Sequence, residues 1–86
     1  MAVAIAVRVR FFARLREQSG IEIEVIEIPV GSTLADVYAA ARSKHSGLEA
    51  DRAAVRGAIN QEFSDWTATV ANGDEVAFIP PVSGGL

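Results

Sequence analysis

Gly84 and Gly85 stand near the end of the sequence, behind Pro80 and Pro81 and ahead of Leu86, and they are the residues best suited to chemistry in another protein's site. Glycines have no side chain to clash in a narrow channel and reach backbone angles closed to other residues. The prolines hold the base of such a tail extended, which limits the entropy lost when it docks. Elsewhere the sequence offers little. It has no cysteine and one histidine, His45, so thiolate nucleophiles, cysteine persulfides, a structural zinc set and a paired-imidazole metal site are all excluded. His45 reads as a solvated residue at a helix end, where a cation interacts well with the dipole. Glu22, Glu24 and Glu27 read as one solvated side of an alternating strand, not as a catalytic pair. Arg8, Arg10, Arg14 and Arg16 either steer an acidic partner or keep a sheet edge soluble. Lys44 is the only lysine.

The elements that must position the tail follow from periodicity. Val3, Ile5, Val7, Val9 and Phe11 are large and apolar at alternate positions, which predicts a strand with one buried face. Residues 13–20 are rich in helix formers and close on Gly20, a suitable left-handed cap, so a short helical turn is expected there. Ile21 to Val25 alternate, and Ile26-Glu27-Ile28 continue one residue out of phase, which predicts a bulge or bend before Pro29 ends the strand. The two strands form an antiparallel hairpin with a wide connection. Thr33 and Asp36 have the spacing of a capping box, and Leu34, Val37, Tyr38 and Ala41 make the apolar stripe of a helix that Gly47 stops. Residues 48–52 read as a loop or a further turn. Val55, Gly57 and Ile59 suggest a third strand, residues 63–67 a connection, and Asn72-Gly73-Asp74 a tight turn into a last strand, Glu75 to Ile79. Pro80-Pro81 stops that strand. This order is α+β and matches a β-grasp: a four-stranded mixed sheet with one main helix on one face, the first and last strands side by side in the middle.

Length and composition bound the rest. At 86 residues, half of them hydrophobic and 22% charged, the chain is one domain with enough apolar surface to fold alone, with residues 81–86 as a flexible tail. A net charge of −3 gives no long-range attraction to phosphate backbones or anionic lipid, so neither nucleic acid nor membrane is an expected partner. The apolar start is too short for a signal peptide or membrane span, and with no cysteine the cytoplasm is the expected location.

Three stretches carry a resemblance: Arg10-Phe11-Phe12-Ala13-Arg14-Leu15-Arg16-Glu17, Ala58-Ile59-Asn60-Gln61, and the run from Asn72 through Glu75-Val76-Ala77-Phe78-Ile79-Pro80-Pro81 to Gly84-Gly85. In this order and spacing the chain resembles the molybdopterin synthase small subunits, the MoaD family of ubiquitin-like sulfur carriers. The resemblance implies a β-grasp fold and a defined role. The carboxylate of the second glycine, Gly85, is adenylated by an ATP-dependent enzyme and converted to a thiocarboxylate. The tail, Gly84 included, then enters the large synthase subunit and gives up sulfur to a pyranopterin precursor. Catalytic residues belong to the partners, and no bound cofactor is expected. The expected assembly is a heterotetramer of two small and two large subunits. Carriers for thiamin or cysteine synthesis, and a ubiquitin-like modifier or interaction domain, are the alternatives. Leu86 departs from the pattern, because it locks the Gly85 carbonyl in a peptide bond. It is either a purification-tag remnant, the favoured reading, or an encoded residue that must first be removed.

Phe12 follows Phe11, and Ile79 alternates against Val76 and Phe78, so both point away from the helix. With Phe63 they form an exposed apolar patch of the kind a partner covers. The resemblance adds Pro80, Pro81 and Val82 to that interface. Trp66 reads instead as a minor core residue under a loop.

Overall fold

A computed structural model describes residues 3–81. Strand β1 (Ala4–Phe11) buries Ile5, Val7, Val9 and Phe11 as its alternation requires, while Val3 lies before the strand and is exposed. The chain then turns through helix α1 (Arg14–Ser19), whose cap Gly20 takes the left-handed conformation that a Cβ would strain. Strand β2 (Ile23–Pro29) returns antiparallel to β1 in unbroken register from Ala4 opposite Pro29 to Arg10 opposite Ile23. The expected bulge is therefore absent. Ile26 and Ile28 face the core in phase with Glu24, and Ile23 and Val25 simply occupy the other face.

Helix α2 (Leu34–Lys44) begins at the expected capping box: the Thr33 N–H donates to Asp36 Oδ2 at 2.9 Å, and the Asp36 N–H donates to Thr33 Oγ1 at 3.3 Å. Leu34, Val37, Tyr38 and Ala41 are its buried stripe. It ends at Lys44 with His45 as its cap, before Gly47, whose added Cβ would meet the Gln18 carbonyl at 3.0 Å. A single 3-10 turn, Arg52–Ala54, occupies the loop that follows.

Strand β3 (Arg56–Ile59), a two-residue strand β4 (Glu62–Phe63) and strand β5 (Glu75–Ile79) complete a five-stranded sheet of order β2-β1-β5-β3-β4. β1 and β5 are parallel neighbours at the centre, and the other pairs are antiparallel. The sheet has one strand more than expected, because Glu62 and Phe63, the latter at the start of the expected connection, make a hairpin with β3. Its turn residues Asn60 and Gln61 both have positive φ, 51° and 73°, as a two-residue primed turn requires. Glycine usually occupies the second of these positions, and glutamine hides the turn from sequence reading.

Candidate functional site

The face of the sheet away from α2 is built from the register. Arg10 of β1 stands opposite Ala77 of β5, Ala77 opposite Ala58 of β3, and Ala58 opposite Phe63 of β4. Two alanines at the centre of this row leave a hollow that larger residues rim. Phe12, Phe63, Ile79, Arg10, Gln61 and Glu75 surround a depression of about 180 Å³ floored by Ala58 and Ala77. The expected trio of Phe12, Phe63 and Ile79 is thus brought together. Phe63 is 61% exposed, a large apolar side chain left in water by a two-residue strand.

Two arginines beside this rim share one carboxylate. Arg10 Nη1 lies 3.4 Å and Arg8 Nη2 3.7 Å from the same Glu75 oxygen, and the Arg10 guanidinium sits 5.1 Å from the centre of the Phe12 ring. Arg8 and Arg10 therefore belong to a central strand, not to a sheet edge. Sequence reasoning did not find Ala58, Ala77, Arg10, Gln61 and Glu75 as rim and floor. The one signal available was that Glu75, Ala77 and Ile79 share a parity.

The depression adjoins the root of the tail. β5 runs directly into Pro80 and Pro81, and the Phe12 N–H donates to the Phe78 carbonyl at 3.1 Å, tying the end of β1 to that of β5. Pro80 is half-buried and Pro81 exposed. Val82, Gly84, Gly85 and Leu86 lie outside the described residues.

Two other expectations change. His45 is not solvated: its Nε2 lies 2.8 Å from Glu24 Oε1, both side chains are less than one-fifth exposed, and its ring meets Phe11 edge-on at 5.9 Å. Glu24 accordingly lies on the helix side of β2, while Glu27 faces the other way. Trp66 is a minor core residue as expected, stacked on Phe78 at 6.0 Å and tilted against Tyr38 at 5.7 Å. Tyr38 donates its hydroxyl to the Glu49 carbonyl at 2.7 Å, and burial pushes its pKa above the usual phenol value. Among the described residues no cluster of His, Asp and Glu is placed to hold a metal, and no helix is long and apolar enough to cross a membrane.

One helix across a mixed sheet with parallel central strands is the ubiquitin-like β-grasp, and here its uncovered face forms an apolar hollow at the root of a Gly-Gly tail. The chain belongs to the ThiS family, whose model matches residues 9–85, both glycines included. It is 37% identical over 82 residues to the molybdopterin synthase sulfur carrier subunit of Arabidopsis thaliana, an alignment covering 95% of this chain and 85% of that one. Among solved structures it is similar to SAMP1 of Haloferax volcanii, with a TM-score of 0.79, 25% identity, and coverage of 93% of this chain and 99% of that one. It is similar as well to a subunit in the complex of subunits 1 and 2 of the molybdopterin-converting factor of Helicobacter pylori. That match has a TM-score of 0.66 and 27% identity, covering 94% of this chain and 100% of that one.

Proposed function

We propose that this protein is the sulfur carrier subunit of molybdopterin synthase, acting in the cytoplasm through Gly85. The observation that carries the reading is the apolar hollow of Phe12, Phe63 and Ile79 beside the strand that leads into Gly84-Gly85. A solvated monomer gains nothing from a large exposed phenylalanine there, whereas a subunit that must seat its tail in a partner gains a docking surface. A partner exists for the Helicobacter pylori relative, which was solved as a complex of the factor's two subunits. Here the large synthase subunit would cover Phe12, Phe63, Ile79, Pro80, Pro81 and Val82, two copies of each chain forming the tetramer.

The chemistry explains the tail. A carboxylate is a poor acyl donor, because oxide is a poor leaving group. The activating enzyme joins the Gly85 carboxylate to the AMP moiety of ATP and releases pyrophosphate. Hydrosulfide, the sulfur source at the required oxidation level, then forms the C–S bond as the C–O bond to AMP breaks, and leaves a thiocarboxylate, which supplies sulfur to the pyranopterin precursor inside the large subunit. Gly84 and Gly85 contribute slenderness and backbone freedom, and the catalytic side chains are those of the partner enzymes.

Leu86 makes the reading testable. Its peptide bond occupies the carbonyl that must be activated, so a form retaining Leu86 is inert until that bond is hydrolysed. A form ending at Gly85, given ATP, the activating enzyme and a sulfur source, should gain the mass of one oxygen-to-sulfur exchange and then convert the precursor once the large subunit is added. Thiocarboxylation of a form that still carries Leu86, or failure of the Gly85 form with every activating enzyme of its organism, would overturn the assignment.

A further inference from the structure

The two edges of the sheet differ. β4, beside the hollow, offers only two residues, whereas β2 is an edge strand seven residues long. The Phe11 N–H donates to the Glu22 carbonyl at 2.9 Å and the Val30 N–H to the Val3 carbonyl at 2.7 Å, so the even-numbered residues of β2 turn their backbone groups toward β1. Ile23, Val25 and Glu27 turn theirs outward, and among the described residues these outward groups have no hydrogen-bond partner. Their side chains stand on the bare face, where Ile23 is 44% and Val25 57% exposed. An edge with unpaired N–H and C=O groups and exposed apolar side chains is a template for another strand.

We propose that the strand seated on this edge is β2 of a second copy of this chain, paired antiparallel about a two-fold axis at Val25. The odd-numbered residues carry the outward groups, so they must face odd-numbered residues of the other copy. With Val25 opposite its own counterpart, Ile23 lies opposite Glu27, and all the outward N–H groups of both strands meet a carbonyl. Sliding the pairing one step toward the start of the strand would set Glu24 against Glu24 and recruit Ile21, whose N–H and carbonyl are both bonded to the Ser19 hydroxyl. Sliding it one step toward the end would put Pro29, which has no N–H to give, opposite Ile23.

Charge favours the same register. On the bare face Arg10 stands opposite Ile23 and Arg8 opposite Val25, and these two arginines share the single carboxylate of Glu75. Glu27 makes no ion pair among the described residues. In the second copy it would lie beside Ile23, two strand spacings or about 10 Å from Arg10, within reach of two long side chains and of the Debye length. The floor of the hollow and the root of the tail lie beyond β1, so the pairing leaves them open and does not depend on the sulfur-carrier reading. Two short strands bury less than the roughly 1,200 Å² of a lasting complex, so the dimer is reversible and forms at high concentration.

The test is sedimentation equilibrium of the full 86-residue chain from micromolar to millimolar concentration. The average mass should rise toward that of a dimer. Val25→Lys, which sets like charges together at the axis, should raise the dissociation constant about tenfold and leave the melting temperature nearly unchanged. Glu27→Lys should raise it by a smaller factor, and Phe63→Asp should not alter it. The chain has no cysteine, so Val25→Cys reads the register directly: opposed Cα atoms of a hydrogen-bonded pair are about 5.5 Å apart, within disulfide range, and mild oxidation should give a covalent dimer. Val30→Cys, at a residue 61% exposed but off the axis, should stay largely monomeric. A mass that remains that of the monomer would leave the edge to a strand of another protein and overturn the dimer. Association lost in Phe63→Asp but kept in Val25→Lys would move the contact to the hollow, and equal cross-linking of the two cysteine variants would refute the register; either result overturns the pairing.

Discussion

The two faces of the sheet are made by alternate residues of the same strands, yet one is packed under α2 and the other is bare. On the helix side Val7, Val9, Phe11, Val76 and Phe78 are at most 1% exposed, and the Phe78 ring meets those of Tyr38, Trp66 and Phe11 at 4.7, 6.0 and 6.2 Å. On the bare side the strands place Ala77 and Ala58 at the centre and keep Phe12, Phe63 and Ile79 at the rim. A core excludes water by filling space with large side chains, and a docking face must leave space for another protein's side chains to fill. Small residues at the centre and charged ones at the rim set the bare face apart from the core.

That contrast can be broken from either side. The largest effect is expected on the covered face. Phe78→Ala removes a fully buried ring and should cost about 3 to 5 kcal/mol of stability, measured by urea unfolding. Binding to the large subunit should fail only to the extent that the variant unfolds. The reverse pattern is expected for Phe63→Asp, which leaves the melting temperature nearly unchanged because the side chain is already in water. Sedimentation of the mixed subunits should nonetheless show assembly weakened by about 2 to 4 kcal/mol, since the partner would bury an unpaired charge. Normal assembly of Phe63→Asp would remove the bare face from the interface.

The smallest effect sharpens the comparison from beneath α2. Tyr38 has its pKa raised mainly by burial, so the folded state holds the phenol proton more tightly than the unfolded state does. Its contribution to stability is complete below pH 10, the ordinary phenol value, and is lost as pH rises from there through the folded value. Tyr38→Phe should lower stability at neutral pH by about 1 kcal/mol, through loss of the hydrogen bond to the Glu49 carbonyl. It should also flatten the decline above pH 10, and an unchanged alkaline slope would mean that the phenol is not the group responsible. Neither change should alter assembly.

Local rules made much of this protein legible. Alternation in β1, the Thr33–Asp36 capping box, the caps and turns at Gly20 and Gly73, and the stop at Pro80-Pro81 each depend on neighbours within a few residues. The Gly84-Gly85 tail is likewise a property of the chain itself. Phe12 and Ile79 could be assigned to the bare face because strand parity is local.

What the tertiary structure decided depends on pairs far apart in sequence. The hollow needs Ala58 set opposite Ala77, and its ion pairs need Arg8 and Arg10 beside Glu75, a register that no short window contains. His45 is drawn inside because α2 lands its last turn on Glu24 and Phe11. The strand containing Phe63 exists because a primed turn at Asn60-Gln61 folds it back on β3, at positive φ values that sequence preference argues against. A β-sheet is assembled from non-local pairings, so which side chains share a row is fixed only when the strands meet.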